Sequence, residues 1–265
     1  MLLENILKPP VPIFDTHAHY DDEAFDEIRE QLLSEMAQNG VGMIINNATD
    51  LEKSAEKCLE LSRHFDFCLT AIGVHPESVE RYGKGVDIAR LKELCKNNSV
   101  VAVGEIGLDY HYSSDRKQMQ IEVFRSQMEA ANEMGLPVII HDRDAHSDTF
   151  EAVRSIRPKG TVHCFSGSKE LAMQYVDLGL YIGVGGVVTF KNARKLVEVC
   201  EAVPLDRILL ETDAPYLAPE PFRGKLCNSS HIYYTAAKIA EIKGISLEKV
   251  LQTTYKNAEQ LYLNR

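Results

Sequence analysis

The sequence predicts an α/β protein: a closed (β/α)8 barrel forming one domain over residues 1–265, with extra helices after the last strand. Three observations lead there. Eight short apolar runs, rich in Val and Ile, recur along the chain. Amphipathic stretches separate them, several closed by a glycine. The first run lacks the glycine-rich fingerprint that an open dinucleotide-binding sheet, the runner-up architecture, carries after its first strand. Strand–helix alternation with short connections demands parallel strands and right-handed crossovers. Eight such units in ~250 residues is the arithmetic of a TIM-type barrel.

In order, the runs are VPIFDT (11–16), VGMIINNA (41–48), FCLTAIGV (67–74), SVVAVGEIG (99–107), LPVIIH (136–141), GTVHCF (160–165), LYIGVGG (180–186) and RILLETD (207–213). Most lack polar alternation, as strands buried on both faces do. Between the first two, AFDEIREQLLSEMAQNG (24–40) sets Phe25, Ile28, Leu32 and Met36 on one helical face and stops at Asn39-Gly40. RKQMQIEVFRSQMEAANEMG (116–135) stops at Gly135 with Pro137 beyond, and ELAMQYVDLG (170–179) closes at Gly179. Residues 231–265 read as the extra helices, packed on the barrel.

Composition is that of an ordinary water-soluble chain, and the formal net charge of −10 argues against a basic groove-binder that coats duplex DNA. It does not exclude a nucleic-acid enzyme, because bound cations and a few Arg or Lys reverse the sign locally. Cys58, Cys68, Cys95, Cys164, Cys200 and Cys227 are scattered without a CxxC pair and read as reduced core thiols, which fits a cytoplasmic setting. MLLENILKPPVP lacks a basic start and apolar core, so no signal peptide is expected. Apolar runs fall short of the ~20 residues that span a bilayer. No membrane and no obligate protein partner is expected.

The chemistry gathers at the strand ends, where barrels of this kind carry their active sites. His17 and His19, two apart in IFDTHAHYDD, share one face of an extended strand. Strand three ends in His75, four in Glu105, five in His141, six in His163 and eight in Asp213, so five of nine histidines fall at strand ends. His64 lies on a helix, and His111, His146 and His231 read as loop residues. Imidazole nitrogen and carboxylate oxygen together suit Zn²⁺, Mn²⁺ or similar ions. A carboxylate can offer one oxygen to each of two cations, which makes Glu105 the natural bridge. His17, His19 and Asp213 would complete one site, and His141 and His163 the other. Ions ~3.5–4 Å apart can clamp the attacking and leaving oxygens of a displacement. Asp213 could accept the proton of the attacking water.

DTHAHYD, GVHPE, GEIGLDY, PVIIHDRDA, HCFSGS, YIGVGG and LLETDAPYLAP followed by FRGK run in order over nearly the whole chain. In these segments it resembles the TatD-like metal-dependent hydrolases, a branch of the amidohydrolase superfamily. The resemblance implies the barrel, two divalent metal ions and phosphodiester hydrolysis, typically by a Mg²⁺-supported deoxyribonuclease acting on strand ends. It assigns metal roles to His17, His19, Glu105, His141, His163 and Asp213. Other branches bridge their metals with a carboxylated lysine; SVVAVGEIG has none, which favours the glutamate-bridged branch. After FRGK the family usually continues x-N-x-P, whereas this chain reads LCNSSH, with Asn228 displaced by one and no proline. That loop is expected to border the substrate pocket.

Several residues carry two readings. Asp15 either orients an imidazole or is a buried hydrogen-bonding carboxylate. His75 contacts a substrate phosphate or shapes the turn before Pro76. Arg143 grips a phosphate or pairs with Asp142 or Asp144. Arg223 and Lys225 are further phosphate candidates. The leading functional expectation is a two-metal deoxyribonuclease acting on single-stranded DNA ends or a small phosphodiester. The alternatives are a hydrolase of small amides, esters or phosphoesters, and a non-catalytic scaffold that keeps the barrel.

Overall fold

A computed structural model describes residue 3 and residues 6–82, 85–112 and 114–264. Met1, Leu2, Glu4 and Asn5 of the N-terminal stretch, with positions 83, 84, 113 and 265 of the expected domain, lie outside the described residues. Among these residues eight parallel strands form one sheet in sequence order: β1 (Ile13–Ala18), β2 (Val41–Asn47), β3 (Cys68–Ala71), β4 (Val100–Asp109), β5 (Val138–Arg143), β6 (Gly160–Val162), β7 (Tyr181–Val184) and β8 (Ile208–Leu210). Beyond the end of β8 the sheet closes on β1. The amide of Asp213 donates to the carbonyl of His17 (2.9 Å) and that of His19 to the carbonyl of Ala214 (2.7 Å).

Helices fill the crossovers: α1 (Arg29–Gln38), α2 (Lys53–His64), α3 (Ile88–Leu94), α4 (Lys117–Met134), α5 (His146–Ile156), α6 (Lys169–Asp177) and α7 (Arg194–Ala202). α1 starts later than the apolar spacing suggests, because Glu23–Phe25 forms a separate 3-10 turn capped by Asp22. α4 does end at Gly135, whose φ of +69° a side-chain-bearing residue adopts at a cost. α8 (Ile232–Lys243) and α9 (Leu247–Tyr262) are the extra helices.

Strand parity sorts the core into two layers. In β5, Val138 and Ile140 belong to the layer under the helices, with Phe124 and Met128 of α4. Ile139 joins Phe14, Ile45, Val101, Tyr181 and Leu209 from other strands in the inner layer. Ala258 and Tyr262 of α9 sit in that same layer, so α9 packs against the base of the barrel interior. Successive strand residues face opposite ways. The parity that points Ile139 inward therefore also points His141 inward, one step nearer the mouth. Past Leu209 it does the same for Glu211, just beyond the end of β8.

Strand ends differ from the apolar runs. β3 stops four residues before His75, β6 just before His163 and β8 three before Asp213, whereas β4 runs on to Asp109. Where pairing stops early the chain is free to turn ligating side chains over the mouth. Asp213 does so with φ +65°, and Cys164, the residue after His163, marks the turn there with φ +43°. Among the described residues no helix is long and apolar enough to cross a membrane. All six cysteines are free, and Cys164 is half-buried rather than core, the other five being buried.

Candidate metal centre

Glu105 stands nearly buried at the centre of the mouth, and its two oxygens face different partners. Oε2 lies 3.4 Å from His17 Nε2 and 3.5 Å from His19 Nε2. Those two nitrogens are 3.1 Å apart, and Asp213 Oδ1 is 3.7 and 3.5 Å from them. Oε1 lies 2.8 Å from His141 Nδ1, 2.6 Å from His163 Nε2 and 3.6 Å from His75 Nε2. Residues from five strands or their ends, spread over 197 positions of sequence from His17 to Asp213, thus meet around one carboxylate.

This donor set fits divalent cations. Two imidazole nitrogens 3.1 Å apart cannot both carry protons, and a shared cation removes that conflict. Three overlapping groupings have ligand atoms close enough to share an ion: His17, Glu105 and His163; His17, His19 and Asp213; His75, Glu105 and His141.

Hydrogen bonds fix which ring nitrogen faces inward. His19 Nδ1–H donates to the carbonyl of Asn47 (2.9 Å), leaving Nε2 as the inward lone pair. His141 is turned the other way: its Nε2 lies 3.1 Å from Asp109 Oδ2, so Nδ1 faces Glu105. The second Asp109 oxygen accepts the amides of His111 and Tyr112, both at 2.9 Å. Among the described residues His163 Nδ1 is buried without a hydrogen-bond partner, 3.9 Å from Glu211 Oε1, and Glu211 Oε2 is likewise unpartnered. Glu211 also accepts the amide of Cys164. Its carboxylate fits because Gly183 has no side chain: a Cβ there would lie 2.5 Å from Glu211 Oε2.

The electrostatics follow from burial and this crowding. Burial opposes charge on His141 and His19, but Asp109 and Glu105 around the first, and Asp213 and Glu105 around the second, hold each near a pKa of about 10. Burial, with His163 beside it, lowers His17 to about 4, and burial lowers His75 to about 3. Against burial, the surrounding imidazoles hold Glu105 well below the carboxylate range. Burial lifts Glu211 to about 8. Histidines that attract protons this way are the ones whose protons a cation displaces.

The other candidates fall as follows. Asp15 is fully buried and accepts from the hydroxyls of Thr212 and Ser229 (both 2.7 Å) and the amides of His17 and Thr212 (both 3.1 Å). Among the described residues it contacts no imidazole, so it acts as a hydrogen-bonding carboxylate that ties β1 to the end of β8. His75 shapes the turn, its Nδ1 accepting the amide of Glu77 (3.2 Å), while its Nε2 points to Glu105. Asp142 pairs with His146 (2.9 Å) and Asp144 with His111 (3.1 Å). Exposed Arg143 therefore lacks both expected carboxylate partners and lies over the ring of Tyr112. Arg223 lies over Phe190 and Lys225 near Phe222, both basic groups exposed.

Two loop expectations are corrected. His146 opens α5 rather than lying in a loop. His231 is buried in a capping box, stacked on Phe222, with its Nδ1 accepting the amide of Asn228. Asn228 caps the same turn and is itself buried, so the LCNSSH departure turns these side chains inward; Leu226 before them is exposed. Sequence reasoning missed Asp109 and Glu211. The available signal was strand parity, since Asp109 follows Glu105 by four and Glu211 precedes Asp213 by two.

A family model, TatD related DNase, matches residues 14–263. The chain is 39% identical over 254 residues to the uncharacterized metal-dependent hydrolase YabD of Bacillus subtilis, covering 94% of this chain and 98% of that one. It is 35% identical to the uncharacterized metal-dependent hydrolase YcfH of Escherichia coli K12, covering 94% and 95%. The crystal structure of YJJV, a TatD homolog from Escherichia coli K12, superposes with TM-score 0.88 at 32% identity, covering 96% and 98%. A TatD-family hydrolase from Entamoeba histolytica shares the fold, with TM-score 0.85 at 24% identity over 97% and 100%. The chain therefore belongs to the TatD related DNase family, among relatives that carry the name metal-dependent hydrolase.

Proposed function

We propose that this chain is a metal-dependent phosphodiesterase that works with two divalent cations, Mg²⁺, Zn²⁺ or Mn²⁺, on the ends of single-stranded DNA. The observation that carries the reading is the division of Glu105, one oxygen toward His17 and His19 and the other toward His141 and His163. His17, His19, Glu105 and Asp213 would hold one ion, and Glu105, His141 and His163 the other. When bound, such ions offset the charge that develops on phosphoryl oxygens and make a water acidic enough to attack near neutral pH.

The chain's own groups do the rest. Asp213 is the most exposed acid of the cluster at 20%, against 3% for Glu105, and is the group that reaches a water and takes its proton. His75 is neutral, and its Nδ1 accepts from Glu77. Its proton therefore sits on Nε2, which donates to a phosphoryl oxygen. Arg143 supplies a planar pair of donors that suits a phosphate, with Arg223 as a second cation at the rim.

The experiment is release of nucleotides from end-labelled single-stranded DNA by metal-loaded protein, with and without chelator. Chelator-sensitive release is expected; intact DNA with fully loaded protein overturns the reading. Hydrolysis of small chromogenic esters alone would favour the small-molecule alternative, which the net charge of −10 supports.

A further inference from the structure

Two tyrosines stand at the barrel mouth with their rings in water, Tyr112 63% and Tyr216 55% exposed. A lone exposed aromatic needs no explanation, but these two are tied to the metal-ligand framework. The amide of Tyr112 is held by Asp109, the carboxylate whose other oxygen takes His141 Nε2. The Arg143 guanidinium lies 4.6 Å from the Tyr112 ring centroid. On the other flank the amide of Tyr216 donates to the carbonyl of Asp213 (2.8 Å), and its hydroxyl donates to Asp22 (2.9 Å). Tyr112 follows β4 and Tyr216 follows β8. These strands are four apart in an eight-strand order, so the segments that carry the two rings leave the barrel on opposite sides of its mouth.

The Tyr112 ring, with the Arg143 guanidinium over it and the His111 ring nearly perpendicular at 4.7 Å, stays 63% exposed and is a platform for a flat π-system. Aromatic and Arg surfaces of this kind hold single strands without reading sequence. Inside a duplex both faces of a base are covered by neighbours, and only an unpaired base presents one to a protein. The net charge of −10 denies this chain the broad electrostatic grip of duplex binders. Stacking supplies affinity where charge does not.

We propose that Tyr112 with Arg143, and Tyr216 opposite, are nucleobase-stacking subsites on either side of the centre. They hold unpaired bases of a strand end so that the intervening phosphate lies over the Glu105 cluster. This inference rests on the phosphodiesterase reading and names what selects its substrate.

The test compares short single strands that carry bases with strands of equal length and charge that are abasic. Binding to metal-loaded protein is read by fluorescence anisotropy, with phosphorothioate linkages to slow hydrolysis. Wild type is expected to bind the base-carrying strand about tenfold tighter or more. Tyr112→Leu and Tyr216→Leu each lower that ratio, the double variant brings it near one, and Tyr112→Phe, which keeps the ring, retains it. A ratio of one in wild type, or a ratio unmoved in the double variant, overturns the subsites. Ordinary phosphodiester strands separate the two readings. Equal cleavage of base-carrying and abasic strands removes the subsites and leaves the phosphodiesterase standing. Cleavage of neither removes both.

Discussion

Asp109→Asn is expected to weaken one cation and spare the other. In wild type, Asp109 Oδ2 faces His141 Nε2 at 3.1 Å and holds a ring proton there, so that Nδ1 is the nitrogen whose proton a cation displaces. Asn can keep the oxygen that accepts the amides of His111 and Tyr112, but it then turns an NH₂ toward Nε2. The imidazole proton moves to Nδ1 and occupies the position that faces Glu105 Oε1. The bond lost is charge-assisted and mostly buried, worth about 1.5–3 kcal/mol, or roughly 10–150-fold in affinity. That range overlaps the 10–100-fold typical of losing a partner behind a metal-bound histidine. Calorimetric titration of stripped protein with Mn²⁺ reads the effect. The step assigned to His141 and His163 weakens by that factor, while the step assigned to His17, His19 and Asp213 holds. Two steps at wild-type affinity, or equal weakening of both, would refute the role given to Asp109.

Other perturbations have equally definite outcomes. Arg143→Ala removes a rim guanidinium without a carboxylate partner among the described residues; kcat/KM on single strands is expected to fall about 10–100-fold, and an unchanged value contradicts its phosphate role. Asp15→Ala strands two buried amides, each costing about 1–3 kcal/mol, so the melting temperature drops by many degrees; a loss within one or two degrees contradicts the account of that network. Burial holds the pKa of His231 down at about 4 against 6.5 in the unfolded chain. Between those values the unfolded chain binds more protons, so stability is present above pH 6.5 and is lost as pH falls through 4, by about 3 kcal/mol in all. His231→Gln removes that dependence, and a variant whose stability follows the same slope over pH 4–6.5 refutes it.

The ligand candidates were legible because each sits at the end of an apolar run, where a barrel has one mouth to offer. His17 and His19, two apart in an extended segment, and His141, inward by the parity of Ile139, needed only spacing. Parity could mark Asp109 and Glu211 as inward residues, but their partners were not legible, since their contribution is a hydrogen bond or a close approach to another side chain. Sequence periodicity carries no record of which carboxylate lies behind which imidazole. Strand ends were misjudged for a related reason: RILLETD reads as one run, but β8 stops at Leu210 and Asp213 turns with φ +65°. The LCNSSH segment was legible only in its position. Its place after strand eight suggested a loop at the pocket, and Asn228 and His231 spend their hydrogen bonds on capping a buried turn there.

One measurement bears most directly on the shared glutamate: anomalous diffraction from crystals of the protein grown with Mn²⁺. The account predicts two peaks per chain, ~3.5–4 Å apart, with one Glu105 oxygen on each. A single peak, or two peaks that Glu105 does not join, would contradict it.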